Sequence, residues 1–293
     1  MESEIGTVAS AALRDIGQRG IGSAPVAEYG HRIPVPWSVV AEGGWDLIGV
    51  PEEADGAGAS LRDLVEVARV SGRLALPLPI VETMWAKRWS PAARAVEGPV
   101  TVSVARPTTS TAVGIASYGG QSDVLVARSV GGSEDVFEAL IAPELDQLSP
   151  VLRTAVVPWT SEVPAEAARE LAVLWAAQAV GGAQWLVDAS VAFARERTQF
   201  GKPIGSFQAV KHRLADMHSQ AEYADTAVVW ASQEPADAER ASRYALDTAV
   251  KVAQSAIQVH GGMGFTWELG LHYYLRSMLM WRELASGTRS LTR

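Results

Sequence analysis

The chain has 293 residues, 48% hydrophobic and 20% charged, enough to bury a full core and without the low hydrophobicity of a disordered segment. Its formal net charge of -8 disfavours a nucleic-acid partner, which needs a basic face, and the lack of cysteine excludes disulfides, thiolate nucleophiles and sulfur-bound metals. No apolar run approaches the ~20 residues of a membrane span, and the first residues are acidic rather than a basic leader, so no membrane association and a cytoplasmic location are expected.

Residues 1–97 show helical periodicity and are read as an N-terminal helical domain. Ile5, Val8, Ala12, Leu13 and Ile16 fall on one stripe, and "ASLRDLVEVARVSGRLAL" repeats the period with Leu61, Leu64, Val65, Val67 and Ala68. Ser60, followed by Asp63, is placed to cap that second helix, and "GWDLIGVPEEADGAG" is a connector between the two. Residues 98–162 change to short β-branched runs, "VTVSVA", "TAVGIAS" and "DVLVARSV", separated by Pro, Gly and Ser: a reduced β domain.

Residues 163–293 return to helix in three long patterns, 164–199, 206–233 and 236–262, with a last helix expected over Leu271 to Leu284. Apolar residues cover most of the circumference of these helices, which predicts burial on several sides in a four-helix bundle. The fold class is therefore mainly α with a small β domain between two helical ones.

The junction "RERTQFGKPIGSFQ" is punctuated by Gly201, Pro203 and Gly205, which force a tight turn, with Ser206 placed to cap the next helix. Arg197 falls in the last turn of one helix and Gln208 in the first turn of the next. A guanidinium, a carboxamide and free helix N–H groups suit a phosphate or diphosphate, although an ordinary helix hairpin with an arginine at a helix end also accounts for them. The run "QVHGGMGF" from Gln258 carries Gly261 and Gly262, which permit close backbone approach to a ligand or, equally, cap a long helix.

Together, Arg-x-x-Phe-Gly-x-Pro-Ile-Gly-x-Phe-Gln and, some fifty residues on, Gln-x-x-Gly-Gly-x-Gly-Phe resemble the C-terminal domain of the acyl-CoA dehydrogenases. The stretch "GWDLIGVPEEADGAGASLRDLVEVARVSGR" is similar to that family's N-terminal helical domain, so the resemblance runs from about Trp37 to Thr288. It implies an acyl-CoA dehydrogenase-like fold and FAD-dependent α,β-dehydrogenation of an acyl-CoA thioester. It further implies that Arg197, Phe200 and Gln208 hold the FAD, that Gln258, Gly261 and Gly262 touch its adenosine-diphosphate half across a subunit boundary, and that Thr288 belongs to the cofactor-binding set.

Two departures accompany the resemblance. The family's glutamate in a Tyr-Glu-Gly-Thr run is replaced here by Ser286, before Gly287 and Thr288, and serine cannot take an α-proton without a base of its own. The family's alternative glutamate position falls on Leu171; the adjacent Glu170, about 100° away around the helix, is a weak substitute and reads as a solvated helix-start carboxylate. Glu283 reads as a surface or interface charge, and His260 and His272 as structural. In the β segment Ala105, Arg106 and Pro107 stand where a Thr-Glu-Pro run of the flavin cradle is expected, and a tryptophan-bearing strand is missing.

The resemblance, with these losses, is nearest to the shorter subunit of heteromeric bacterial enzymes acting on sterol-derived thioesters. Its implied partner is a longer acyl-CoA dehydrogenase subunit that holds the base. A self-sufficient homodimer using Glu170, and a non-catalytic scaffold, are the alternative readings.

Overall fold

The computed structural model describes residues 7–8, 11–13, 36–105, 114–118, 123–127, 134–138, 154–157 and 163–288. Of the first predicted stripe, Leu13 is in the core while Val8 is 61% exposed; Ile5 and Ile16 lie outside the described residues. Helix α1 spans Trp37–Glu42 and α2 Leu61–Arg73. Helix α2 starts where the sequence places it, because Ser60 and Asp63 form a reciprocal capping box: the Ser60 hydroxyl accepts from the Asp63 N–H, and the Ser60 N–H donates to Asp63 Oδ2 at 2.7 Å. Its apolar face of Leu64, Val65, Val67 and Ala68 is fully buried.

Helix α3 (Ile80–Trp89) and the short α4 (Pro91–Arg94) follow. Two buried contacts fix α3: Lys87 Nζ pairs with Asp46 Oδ2 at 2.6 Å, and the Trp85 indole N–H donates to the Ala167 carbonyl at 2.7 Å. Strands β1 (Val100–Ala105), β2 (Gly114–Ser117), β3 (Asp123–Ala127), β4 (Glu134–Glu138) and β5 (Thr154–Val157) form one sheet of order β4-β3-β1-β2-β5. Among the described strands only the β1–β3 pairing is parallel, with Val100 opposite Asp123; β2 meets β1 with Ala116 opposite Ser103. Strand β1 coincides with the predicted "VTVSVA", whereas β4, with one β-branched residue, and the short β5 run "TAVV" were passed over.

Helix α5 (Ala165–Glu196) has 32 residues, about 48 Å at ~1.5 Å per residue, and forms the spine of the molecule. It crosses α2 at unusually short range because both partners offer glycine: a Cβ on Gly181 would lie 1.8 Å from the Arg69 carbonyl, and one on Gly72 would lie 1.9 Å from the Gln178 carbonyl. Helices α6 (Gln208–Gln233), α7 (Ala238–His260) and α8 (Leu271–Gly287) complete the bundle. The last extends one turn beyond its expected end. Stacking of Trp185 on Tyr274, centroids 4.5 Å apart, and a Tyr274 hydroxyl bond to the Arg73 carbonyl tie α8 to α5 and α2.

Helix α6 departs from the expectation of burial on several sides. Only Met217, Ala221, Ala224, Val228 and Ala231 are buried, a single stripe at helical spacing, while Tyr223 is 64% and Trp230 52% exposed. The small residues of the stripe let α6 lie close to α7; its remaining face is outside the bundle. Helix α5, in contrast, meets the expectation, with Leu171, Leu174, Trp175, Val180 and Leu186 all in the core.

Candidate functional site

The Arg197 junction is a miniature hairpin. Helix α5 stops at Glu196, and Arg197, its capping residue, is already extended rather than in the last turn. Strands β6 (Thr198–Gln199) and β7 (Lys202–Pro203) then pair with Gln199 opposite Lys202, leaving Phe200 and Gly201 as a two-residue loop. Both have positive φ, 53° and 79°, which the tightest hairpin loops demand. Glycine accepts this freely; phenylalanine does not, and its ring is 91% exposed at the tip.

A short 3₁₀ turn, Ile204–Ser206, intervenes before α6, and this displaces the predicted cap. Ser206 donates its hydroxyl to the Pro203 carbonyl at 2.7 Å, and Phe207 occupies the cap position with no side-chain hydrogen bond. Gln208 is the first residue of α6, in the first turn as predicted, and it is exposed. Lys202 Nζ sits 4.5 Å above the Phe207 ring, a second cation within the same hairpin.

The glycine run ends α7. Gly261 has φ 60° and ψ -138°, a conformation reserved for glycine, while a Cβ on Gly262 would meet nothing within 4 Å. The two runs are brought together by their flanks: Phe193, one turn before Arg197, stacks on His260, immediately before Gly261, with centroids 4.3 Å apart. His260 is buried, its Nδ1 lies 2.8 Å from the Ala256 carbonyl, and burial pushes its pKa down, so it is a neutral structural ring. Arg197, Gln208, Gln258 and Gly262 are exposed, and the Arg197 guanidinium has no ion-pair partner among the described residues.

Ser286, which the resemblance sets in place of the family's glutamate, lies at the opposite end of α5. Ser286, in the last turn of α8, donates its hydroxyl to the Glu283 carbonyl at 2.7 Å, and Thr288 does the same to Ala285. Thr288 is buried here and so stands apart from Arg197 and the glycine run. Glu283 is 54% exposed with Arg282 at 3.6 Å, the surface charge anticipated. His272 packs edge-on to Trp267 at 4.6 Å and against Tyr273; burial and the nearby Arg276 lower its pKa. Of the β-segment departures, Ala105 ends β1, and Arg106 and Pro107 lie outside the described residues.

Glu170 corrects the solvated reading: it is only 7% exposed. Arg88 Nε donates to its Oε2 at 3.1 Å and the Trp89 indole to the same oxygen at 2.8 Å, while Arg88 also binds the carbonyls of Gly49 and Ala59 at 2.9 Å. The carboxylate thus anchors the connector after α1 to α5.

A residue that the sequence reading passed over is Glu82. It is fully buried, its Oε1 receives the Trp175 indole N–H at 2.8 Å and the Ser117 hydroxyl at 3.4 Å, and its Oε2 has no hydrogen-bond partner. Burial pushes its pKa up to about 7, with the Trp175 bond acting against that rise. The available signal was an acid inside the otherwise uncharged run "PLPIVETMW".

Comparison with known proteins places this geometry. The family described as acyl-CoA dehydrogenase, C-terminal domain, matches residues 163–293, the bundle that carries both runs. Acyl-CoA dehydrogenase IpdE2 of Mycobacterium tuberculosis is 30% identical over 98% of this chain and 93% of its own length. Acyl-CoA dehydrogenase FadE34 of the same organism is 34% identical over 92% of this chain, which spans only 42% of that relative. The crystal structure of the ChsE4-ChsE5 complex from M. tuberculosis shares the fold with a TM-score of 0.79 at 19% identity, covering 99% of this chain and 96% of its counterpart. The chain belongs to the acyl-CoA dehydrogenase family.

Proposed function

We propose that this chain is the base-less subunit of a heteromeric acyl-CoA dehydrogenase, giving a diphosphate grip to an FAD seated mainly in a longer partner subunit. The observation that carries the reading is the pairing of an exposed Arg197, without an ion-pair partner among the described residues, with the bare Gly261–Gly262 backbone at one end of the bundle, while Ser286 stands in the expected base position at the other. A guanidinium makes bidentate charge-assisted hydrogen bonds to phosphate oxygens, and a backbone without Cβ atoms lets a flat nucleotide approach. Phe200 offers an exposed ring for packing, and Gln208 and Gln258 offer carboxamides beside it.

The residues present fit the nucleotide half of FAD. When bound, FAD supplies the hydride acceptor of the dehydrogenation. This chain's part is to orient it and shield it from water; the hydroxyl of Ser286 donates its hydrogen to the Glu283 backbone carbonyl and makes no side-chain hydrogen bond to an acid or histidine among the described residues. The ChsE4-ChsE5 relative is itself a two-protein complex, which supports a heteromeric assembly here.

The test is to purify the chain alone, and with the longer dehydrogenase subunit that it needs, and to measure flavin by absorbance. The pair should hold FAD and turn over acyl-CoA; the chain alone should hold little. Arg197→Ala should empty the pair of flavin without separating the subunits. Stoichiometric flavin and turnover in the isolated chain, or an Arg197→Ala pair as active as the parent, would sink the proposal.

A further inference from the structure

Buried polar groups from four elements meet where the sheet joins the helices. The Ser117 hydroxyl, at the end of β2, lies 3.1 Å from the Thr101 hydroxyl of β1 and 3.4 Å from Glu82 Oε1 of α3. The Trp175 indole of α5 donates to the same carboxyl oxygen at 2.8 Å, and all four side chains are buried. A hydroxyl has one hydrogen to give, so with Ser117 donating to Glu82 it is Thr101 that donates to Ser117. The chain of bonds therefore runs one way, from the sheet into the carboxyl. Thr83, the next residue of α3, holds β1 as well: its hydroxyl donates to the Val100 carbonyl and accepts from the Val100 N–H, both at 3.0 Å.

The acid on which this chain ends has no counter-charge among the described residues. On its own helix Lys87 is paired with Asp46 at 2.6 Å and Arg88 with Glu170 at 3.1 Å, and from α4 Arg94 donates to the Lys87 carbonyl. From α2, Arg69 is shared between Glu66 and Asp225, and Arg73 is paired with Asp188. The neighbours that reach Glu82 from β1 and α5, Thr101 and Trp175, do not titrate; from the end of β2 the titratable group is Tyr118, whose own pKa the Glu82 charge raises. An ionised carboxylate in so dry a place is costly, whereas the neutral acid fits. Because Oε1 already receives two donors, the proton belongs on Oε2, which has no hydrogen-bond partner.

The strand end that meets this acid is under strain and has room beside it. Tyr118 holds φ 56° with its side chain fully buried, a backbone conformation that a non-glycine residue adopts at a cost. It also lines a void of about 10 Å³ between α2 and α8, together with Gly72, Tyr274 and Trp281. The bond from Ser117 to Glu82 is the longest of the three at the carboxyl and its donors. Behind it, Val100, Val102 and Val104 turn the apolar face of β1 into the core, so a sheet parted from α3 would meet water along that face.

We propose that Glu82 is a proton-operated clasp between the sheet and the helical body: with its proton it holds β1 and β2 against α3 and α5, and on losing it the carboxylate draws in water and the strands loosen. Burial pushes the pKa of this carboxyl from 4.5 up to about 7. Docking is therefore complete below about pH 4.5 and weakens as the pH rises through about 7. The clasp requires neither flavin nor a partner subunit, so its fate and that of the proposed FAD half-site are separable.

The experiment is hydrogen exchange of the full chain followed by mass spectrometry at pH 5, 6, 7 and 8, with rates corrected for the intrinsic effect of pH. Protection of Val100–Ala105 and Gly114–Ser117 should fall by at least about tenfold from pH 5 to pH 8, while the buried middle of α5 keeps its own. Glu82→Gln, which cannot ionise, should keep the strands protected at every pH. Trp175→Phe removes the hydrogen bond that opposes the rise in pKa, so the loss of protection should extend to higher pH than in the parent. Strand protection that ignores pH in the parent, the same loss in Glu82→Gln, an unshifted course in Trp175→Phe, or an equal loss in α5 would each overturn the proposal.

Discussion

Phe193 and His260 stack face to face with ring centroids 4.3 Å apart, and through them the end of α5 and the end of α7 become one surface. Arg197 follows the first ring by one helical turn and Gly261 follows the second directly, so the stack is the joint on which the proposed diphosphate grip is built. An aromatic pair contributes ~0.5–1.5 kcal/mol beyond its burial. Phe193→Ala should therefore lower unfolding stability by about 1–3 kcal/mol and raise the dissociation constant for FAD in the two-subunit complex. His260→Phe keeps a ring without the ring nitrogen and should retain flavin. A chemical denaturation midpoint and a flavin fluorescence titration check both.

Phe200 is strained where it stands. Its φ of 53° costs a non-glycine residue ~1 kcal/mol, and its 91% exposed ring recovers little by burial within this chain, meeting Phe207 edge-on at 6.1 Å. Asparagine tolerates that backbone conformation well. Phe200→Asn should leave the chain as stable or about 0.5–1 kcal/mol more stable, while weakening flavin retention by the complex. A variant that loses stability would show that the ring is held by contacts in this chain rather than reserved for a ligand or partner.

How much of this was legible beforehand follows from the physics of each element. The capping box of Ser60 and Asp63, strand β1 and the three long helices are written in local periodicity and local hydrogen bonding, which a single sequence carries. The two glycine-bearing runs were visible as motifs, but their meeting depended on Phe193 and His260, residues 67 positions apart whose stacking no spacing rule announces. Glu170 was misjudged because an acid near a helix start is usually solvated, and its burial is decided by Arg88 and Trp89 on another helix. Helix α6 reads as apolar all round, yet its Tyr223 and Trp230 face outwards, since alanine-rich packing against α7 consumes only one narrow stripe.

The crossing of α2 and α5 predicts a sharp steric effect. Gly181 lies under the Arg69 carbonyl so closely that a methyl group would sit at 1.8 Å, and the obstructing atom is backbone, which cannot swing aside. Overpacking costs ~1–3 kcal/mol where side chains can adjust, so Gly181→Ala should cost at least about 3 kcal/mol. Gly98→Ala, with nothing within 4 Å of the new methyl, is the matched control and should change stability little. Thermal melts of the two variants side by side decide the point.

Glu170 separates the heteromeric reading from a self-sufficient enzyme. Its carboxylate already accepts from Arg88 and Trp89, so its proposed role is to hold the connector and α5 together rather than to remove a proton. Glu170→Gln keeps an acceptor for Trp89 but discharges the partner of a part-buried guanidinium. A loss of about 1–3 kcal/mol is expected, in the range for a charged hydrogen bond, with the turnover of the two-subunit complex kept near the parent value. Abolished turnover with full flavin and unchanged stability would instead assign the base to Glu170.

Glu82 should give the chain a measurable pH dependence. Its carboxyl is fully buried among Trp175, Ser117 and the also buried Tyr118, and burial raises its pKa from 4.5 to about 7. A folded state that binds its proton more tightly than the unfolded chain is favoured at low pH. The contribution is fully present below about pH 4.5 and is lost as pH rises through about 7. At ~1.4 kcal/mol per pH unit the loss amounts to about 3 kcal/mol across that window. Glu82→Gln mimics the protonated form: its amide oxygen can still accept from Trp175 and Ser117, and it cannot ionise. Denaturation midpoints measured every half unit from pH 4.5 to 8 should therefore converge for parent and variant at the acid end, and diverge in favour of the variant towards pH 8. Parallel profiles would show that Glu82 titrates alike in the folded and unfolded chain.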